Sequence, residues 1–169
     1  MTEPPSSDSG SAVPAGSGPQ ERLAALGLTL PPVVAPLAAY VPAVRSGAMI
    51  YTAGQLPMVD GQLVSAGKVG AEVGAAEASA LARTCALNAL AAAASVAGGL
   101  SSIKRIVKLT GFVASSPDFT GQPQVVNGAS ELLLEIFGDA GRHARSAVGT
   151  AALPLDAPVE IELIVEAVD

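Results

Sequence analysis

Arg145 opens the run ARSAVGT beside Ala, Ser, Val, Gly and Thr, all small side chains. A guanidinium with room around it can hold a carboxylate through two parallel hydrogen bonds. It can equally close an ion pair with Glu160 or Glu162 across a hairpin, a common role for a charge on a sheet. Residue types leave both roles open. Glu160 and Glu162 are two apart in the alternating run VEIELIVEA, so they share one face of a strand. On a wetted face they are solubilising charges. In a cleft, one of them can orient a water or act as general base. Tyr40 and Tyr51 each carry a hydroxyl that fits a ligand contact or an interface. Asn127 lies early in a helix, where its amide is neither favoured nor costly.

Other chemistries lack their residues. The chain has one histidine, His143, and one cysteine, Cys85, so no Cys/His zinc set exists. Carboxylate-only Mg or Ca binding stays open, but no EF-hand loop is present. There is no phosphate loop, dinucleotide fingerprint or nucleophile elbow. His143 reads as a surface loop residue.

Composition narrows the partners. Charged residues are 14% of the 169, well below the roughly 25% of ordinary domains. So few charges point to surface buried in a homo-oligomer. A net charge of −6, nine Lys and Arg, and no Trp argue against nucleic-acid binding. A lone cysteine gives no intramolecular disulfide, and no signal-peptide pattern opens the chain. Residues 84–103 are uncharged, but Asn, Ser, Gly and much Ala make a membrane span a poor reading. The expected setting is the cytoplasm.

These side chains need elements to hold them. Residues 1–18 are Pro-, Ser- and Gly-rich and read as a disordered tail, followed by a single domain over 19–169. A short helix covers 19–28, and four prolines keep residues 29–44 extended along the surface or a sheet edge. Strands are expected at 48–53, 105–113, 144–151 and 159–168. A hairpin turns at Asp60-Gly61. Helices run from 72 to 97, closed by Gly98-Gly99, and from Pro123 to Phe137. The order ββ-α-β-α-ββ favours an α+β domain, a mixed sheet with two helices packed on one face.

The segments YVPAVRSGAMIYTAGQLP, IKRIVKLTGFVAS and ARSAV…LP…VEIE, with the long helix and the VVN helix, resemble the RidA/YjgF family over about Tyr40–Val168. The resemblance implies a chorismate-mutase-like fold and a homotrimer with a cleft at each subunit interface. It implies cofactor-free hydrolysis of reactive 2-imino acids, such as 2-iminobutanoate and 2-iminopropanoate, to 2-keto acids and ammonia. In that scheme Arg145 binds the substrate carboxylate and Glu160 orients the attacking water. Tyr40, Asn127 and the Ala53-Gly54 backbone line the cleft. The chain departs from the family pattern at four places. Ala53 replaces a serine, His143 stands where a small residue or Pro is usual, Ala147 where Cys is frequent, and Gly149 where an acid is frequent. Of these, Ala53 and His143 favour an alternative, a non-catalytic trimer that binds a small carboxylate or senses a metabolite. A ribonuclease role attached to some relatives fits poorly with the acidic charge.

Overall fold

The chain forms α1 (Pro19–Ala25), β1 (Ala43–Ser46), β2 (Met49–Thr52), β3 (Met58–Val59), β4 (Gln62–Leu63), α2 (Ala75–Ala97), β5 (Ile103–Ala114), α3 (Gln122–Phe137), β6 (Ala144–Thr150) and β7 (Val159–Ala167) in the computed structural model, which describes residues 18–33 and 39–168. Residues 1–17 of the expected tail and residues 34–38 of the proline-rich segment lie outside that description. The last residues of the proline-rich segment, after Pro42, enter β1, an edge strand of the sheet.

Five strands make one sheet in the order β1-β2-β7-β5-β6. Only β5 and β6 run parallel; the other pairs are antiparallel. The reason is local. A helix, α3, separates β5 from β6, and a helical crossover returns the chain in the same direction. With β6 on one flank of β5, β7 takes the other flank. The expected hairpin between the last two strands is therefore absent, because β5 stands between them. The β3–β4 hairpin is a separate ribbon. Asp60 (φ 51°) and Gly61 (φ 77°) both take positive φ at its tip, as a type I′ turn demands.

α2 and α3 bury one face of the sheet. The core joins alanines of α2 to Val125, Leu132 and Ile136 of α3 and to Ile106, Leu109, Ile161, Leu163 and Val165 of the strands. The helices approach closely at Gly128, where a Cβ would stand 2.0 Å from the Ser79 carbonyl oxygen. α2 ends where Gly98 takes φ 91°, a left-handed cap. By length and composition α2 could cross a membrane, yet 61% of its most apolar window is buried inside the domain. α1 packs on α3.

The other sheet face is open. Along β7, Val159, Ile161, Leu163, Val165 and Ala167 are buried, while Glu160, Glu162, Ile164 and Glu166 are half-buried. Val44, Tyr51 and Val148 on this face are 51, 42 and 43% exposed. Tyr51 pairs with Ile164, and Val148 with Phe112.

Candidate functional site

Arg145 stands on the edge strand β6, opposite Leu109 of β5, and so points toward the helix side of the sheet. There α3 meets it with two polar groups three residues apart, a spacing that puts both on one flank of a helix. Arg145 Nη1 donates to Asn127 Oδ1 (2.8 Å) and to Ser130 Oγ (3.3 Å). Those two bonds use both Nη1 hydrogens. The Nε–Nη2 edge of the fork keeps its parallel donors, and Arg145 is exposed. Among the described residues no carboxylate pairs with it. The ion pair with Glu160 or Glu162, open on residue types, is not formed.

Glu160 and Gly54 make a second group. Glu160 lies on the open face, and its carboxyl rests on Gly54. A Cβ on that glycine would be 1.7 Å from Glu160 Oε1 and 2.6 Å from Cδ. Gly54 is held by its neighbours: Ala53 N donates to Pro42 O (2.8 Å), and Gln55 exchanges backbone bonds with Ile161. Tyr40, two residues before Pro42, is 57% exposed near this end of the sheet. Burial raises the Glu160 pKa above the usual carboxylate range, and the neighbouring Glu162 raises it further. Beneath Glu160 the thiol of Cys85 is fully buried and donates to Val159 O (3.6 Å). Burial, then the charge of Glu160, pushes that thiol well up, so it is held neutral.

The two groups do not meet within one chain. Arg145 is level with Leu109 and Leu163, whereas Glu160 is level with Phe112 and Val148. That is three residues along the strands and two strands across, roughly 14 Å between Cα atoms at standard sheet spacings. They also occupy opposite faces. Asn127 stands with Arg145; Ala53 and Gly54 stand with Glu160.

Two residues had not been marked as site residues. Ser130 joins Arg145, and the spacing Asn127-x-x-Ser130 on a helix was its signal. His143 is not a bare surface residue. It is half-buried, with Nε2 at 3.1 Å from Ser130 Oγ and Nδ1 at 2.6 Å from Gly141 O. Among the described residues no three His, Cys, Asp or Glu side chains gather as a metal site.

Comparison with known proteins covers nearly the whole domain. Residues 20–167 match the model of a family described as YjgF/chorismate mutase-like, whose description also carries an endoribonuclease label. Protein TCP17 of Trypanosoma cruzi is 46% identical over 146 residues, 86% of this chain and 91% of that protein. Among solved structures, Atu1372 of Agrobacterium tumefaciens, of unknown function, is 50% identical with a TM-score of 0.81, over 89% of this chain and 92% of its own. The E. coli YjgF gene product is 30% identical at TM-score 0.56, over 81% and 93%. E. coli TdcF, solved with bound serine, is 26% identical at TM-score 0.59, over 79% and 92%.

Proposed function

We propose that this chain, which belongs to the YjgF/chorismate mutase-like family, is a homotrimeric hydrolase of 2-imino acids whose active sites lie between subunits. The observation that carries this reading is the separation of an anion clamp at Arg145 from a raised-pKa carboxyl at Glu160. Each is half of a site, and a neighbouring copy supplies the other half. The apolar open face around Val44, Tyr51 and Val148 supports self-association, since such patches mark contact surfaces. Serine bound to TdcF supports a small ligand bearing a carboxylate.

The chemistry asks little of the site. The Nε–Nη2 edge of Arg145 takes the substrate carboxylate side-on. Water adds to the C=N carbon while Glu160 accepts its proton. Glu160 returns that proton to nitrogen, the C–N bond of the carbinolamine breaks, and the carbinol hydroxyl gives up its own proton as the C=O forms, so ammonia leaves and Glu160 is regenerated. One water and one 2-imino acid give one 2-keto acid and one ammonia. A carboxyl whose pKa is raised by burial and by Glu162 suits this exchange. Orientation supplies the rate, and no cofactor is needed. Ala53 favours the second reading, a carboxylate-binding trimer without turnover, because it brings no hydroxyl to the cleft.

The test is hydrolysis of 2-iminobutanoate by wild type, Arg145→Ala, Glu160→Gln and a refolded equal mixture of the two variants. Each variant alone should be inactive. Random mixing makes three-quarters of the trimers hybrid, each with one complete site of three, so the mixture should recover about a quarter of wild-type activity. A site within one chain would recover none. Saturable 2-keto acid binding without turnover by wild type would select the second reading.

A further inference from the structure

We infer that Ser130 and His143 form a positioning relay that fixes which edge of the Arg145 guanidinium faces the ligand. The consequence for substrate rests on the function proposed above; the relay itself does not.

Proton bookkeeping sets its direction. The Gly141 carbonyl can only accept, so the Nδ1 that lies 2.6 Å from it carries the imidazole hydrogen. Nε2 of the neutral ring is then the acceptor, and the Ser130 hydroxyl donates to it at 3.1 Å. That leaves the lone pairs of Ser130 Oγ for Arg145 Nη1 at 3.3 Å. The second Nη1 hydrogen goes to Asn127 Oδ1. The chain of donors runs Arg145 to Ser130 to His143 to Gly141.

The far end is rigid. Gly141 closes the 3-10 turn Gly138–Gly141 and is buried against α3, where a Cβ would be 2.3 Å from Leu133 O. A buried turn thus anchors an exposed guanidinium on a strand edge through two side chains. Without the relay, Nη1 keeps one partner, Asn127, and rotation about the side chain can offer a mixed edge. With it, Nη1 is saturated and the Nε–Nη2 edge alone remains whole. A planar carboxylate with two parallel oxygens fits that edge. His143 is therefore a positioning residue that acts through Ser130.

Arginine side-chain NMR on the full-length assembly tests the relay without any substrate. The Arg145 Nη1 hydrogens should be distinct from those on Nη2 and slow to exchange in wild type. Ser130→Ala and His143→Asn should average them. His143→Asn keeps a donor for Gly141 but has no acceptor at the Nε2 position. His143→Gln places its amide oxygen there and should restore the separation. Titration with 2-oxobutanoate gives the second arm. Ser130→Ala and His143→Asn should each weaken binding about three- to tenfold, the worth of one hydrogen bond. The double variant should be no weaker than either single, since one relay is broken once. Averaged Nη hydrogens in wild type, or additive losses in the double variant, would overturn the relay. A wild type that keeps the NMR signature but binds no 2-oxobutanoate leaves the relay standing and removes the imine reading.

Discussion

Gly54→Ala separates the two halves of the proposed site with one methyl group. The added carbon would sit 1.7 Å from Glu160 Oε1, 2.6 Å from Cδ and 3.0 Å from Cγ. Ordinary contact begins near 3.4 Å, so the carboxyl oxygen must retreat by about 1.7 Å. Gly54 does not use left-handed backbone, so the substitution adds no strain of that kind. The carboxyl is the end of a flexible side chain and can move without unfolding the strand. The displacement is what costs activity. Misplacing a reacting group by 1 Å can lower a rate about 10²-fold, and the same loss is expected here in kcat for 2-iminobutanoate. The Arg145 that completes the proposed site comes from the neighbouring copy, and its bonds to Asn127 and Ser130 are untouched by the substitution, so its share of ligand binding should survive. The assay is steady-state imine hydrolysis beside calorimetry with 2-oxobutanoate. A loss in kcat with nearly unchanged affinity supports the reasoning. Adding Glu160→Gln to Gly54→Ala should cost little more, because both disable one carboxyl. Wild-type kcat in Gly54→Ala would refute a role for the placed carboxylate.

Three further outcomes follow from the same geometry. Arg145→Lys should weaken 2-oxobutanoate binding by tenfold or more in titration, because an ammonium cannot reproduce the fork held by Asn127 and Ser130. Folding raises the Glu160 pKa, so the stability this residue contributes is present at acid pH and is lost as pH rises through its folded value. Glu160→Gln should then unfold at a higher temperature than wild type at pH 7, with the gap closing toward about pH 4, where the unfolded carboxyl also protonates; a gap that widens toward acid would reverse the sign. Gly128→Ala places a methyl 2.0 Å from the Ser79 carbonyl, and backbone must give way. The helix gains about 1 kcal/mol of propensity but loses more to overpacking. A net loss of about 1–3 kcal/mol is expected, which thermal melting would show as a drop of several degrees.

Elements whose signal is local were legible in the sequence. The β7 alternation put Glu160 and Glu162 on one face, and Gly98, Gly138 and the Asp60-Gly61 pair marked where helices and a hairpin end. The four prolines of residues 29–44 marked a segment for the surface or a sheet edge, and its end enters the edge strand β1. Sheet order was not legible, since it depends on how β5, α3 and β6 cross over rather than on any single segment. Adjacency in sequence suggested a β6–β7 hairpin, and that one inference kept an Arg145–Glu160 ion pair in play. With β5 inserted between the strands, the same two residues stand apart on opposite faces of the sheet. Ser130 and His143 were harder for a different reason. Each is ordinary in its own segment, and their meaning appears only when the α3 flank, the turn before β6 and Arg145 are brought within hydrogen-bond distance. His143, one of the departures from the family pattern, is then joined through Ser130 to Arg145. Ala53 still weighs against activity, since its backbone bond to Pro42 is present and the hydroxyl is not.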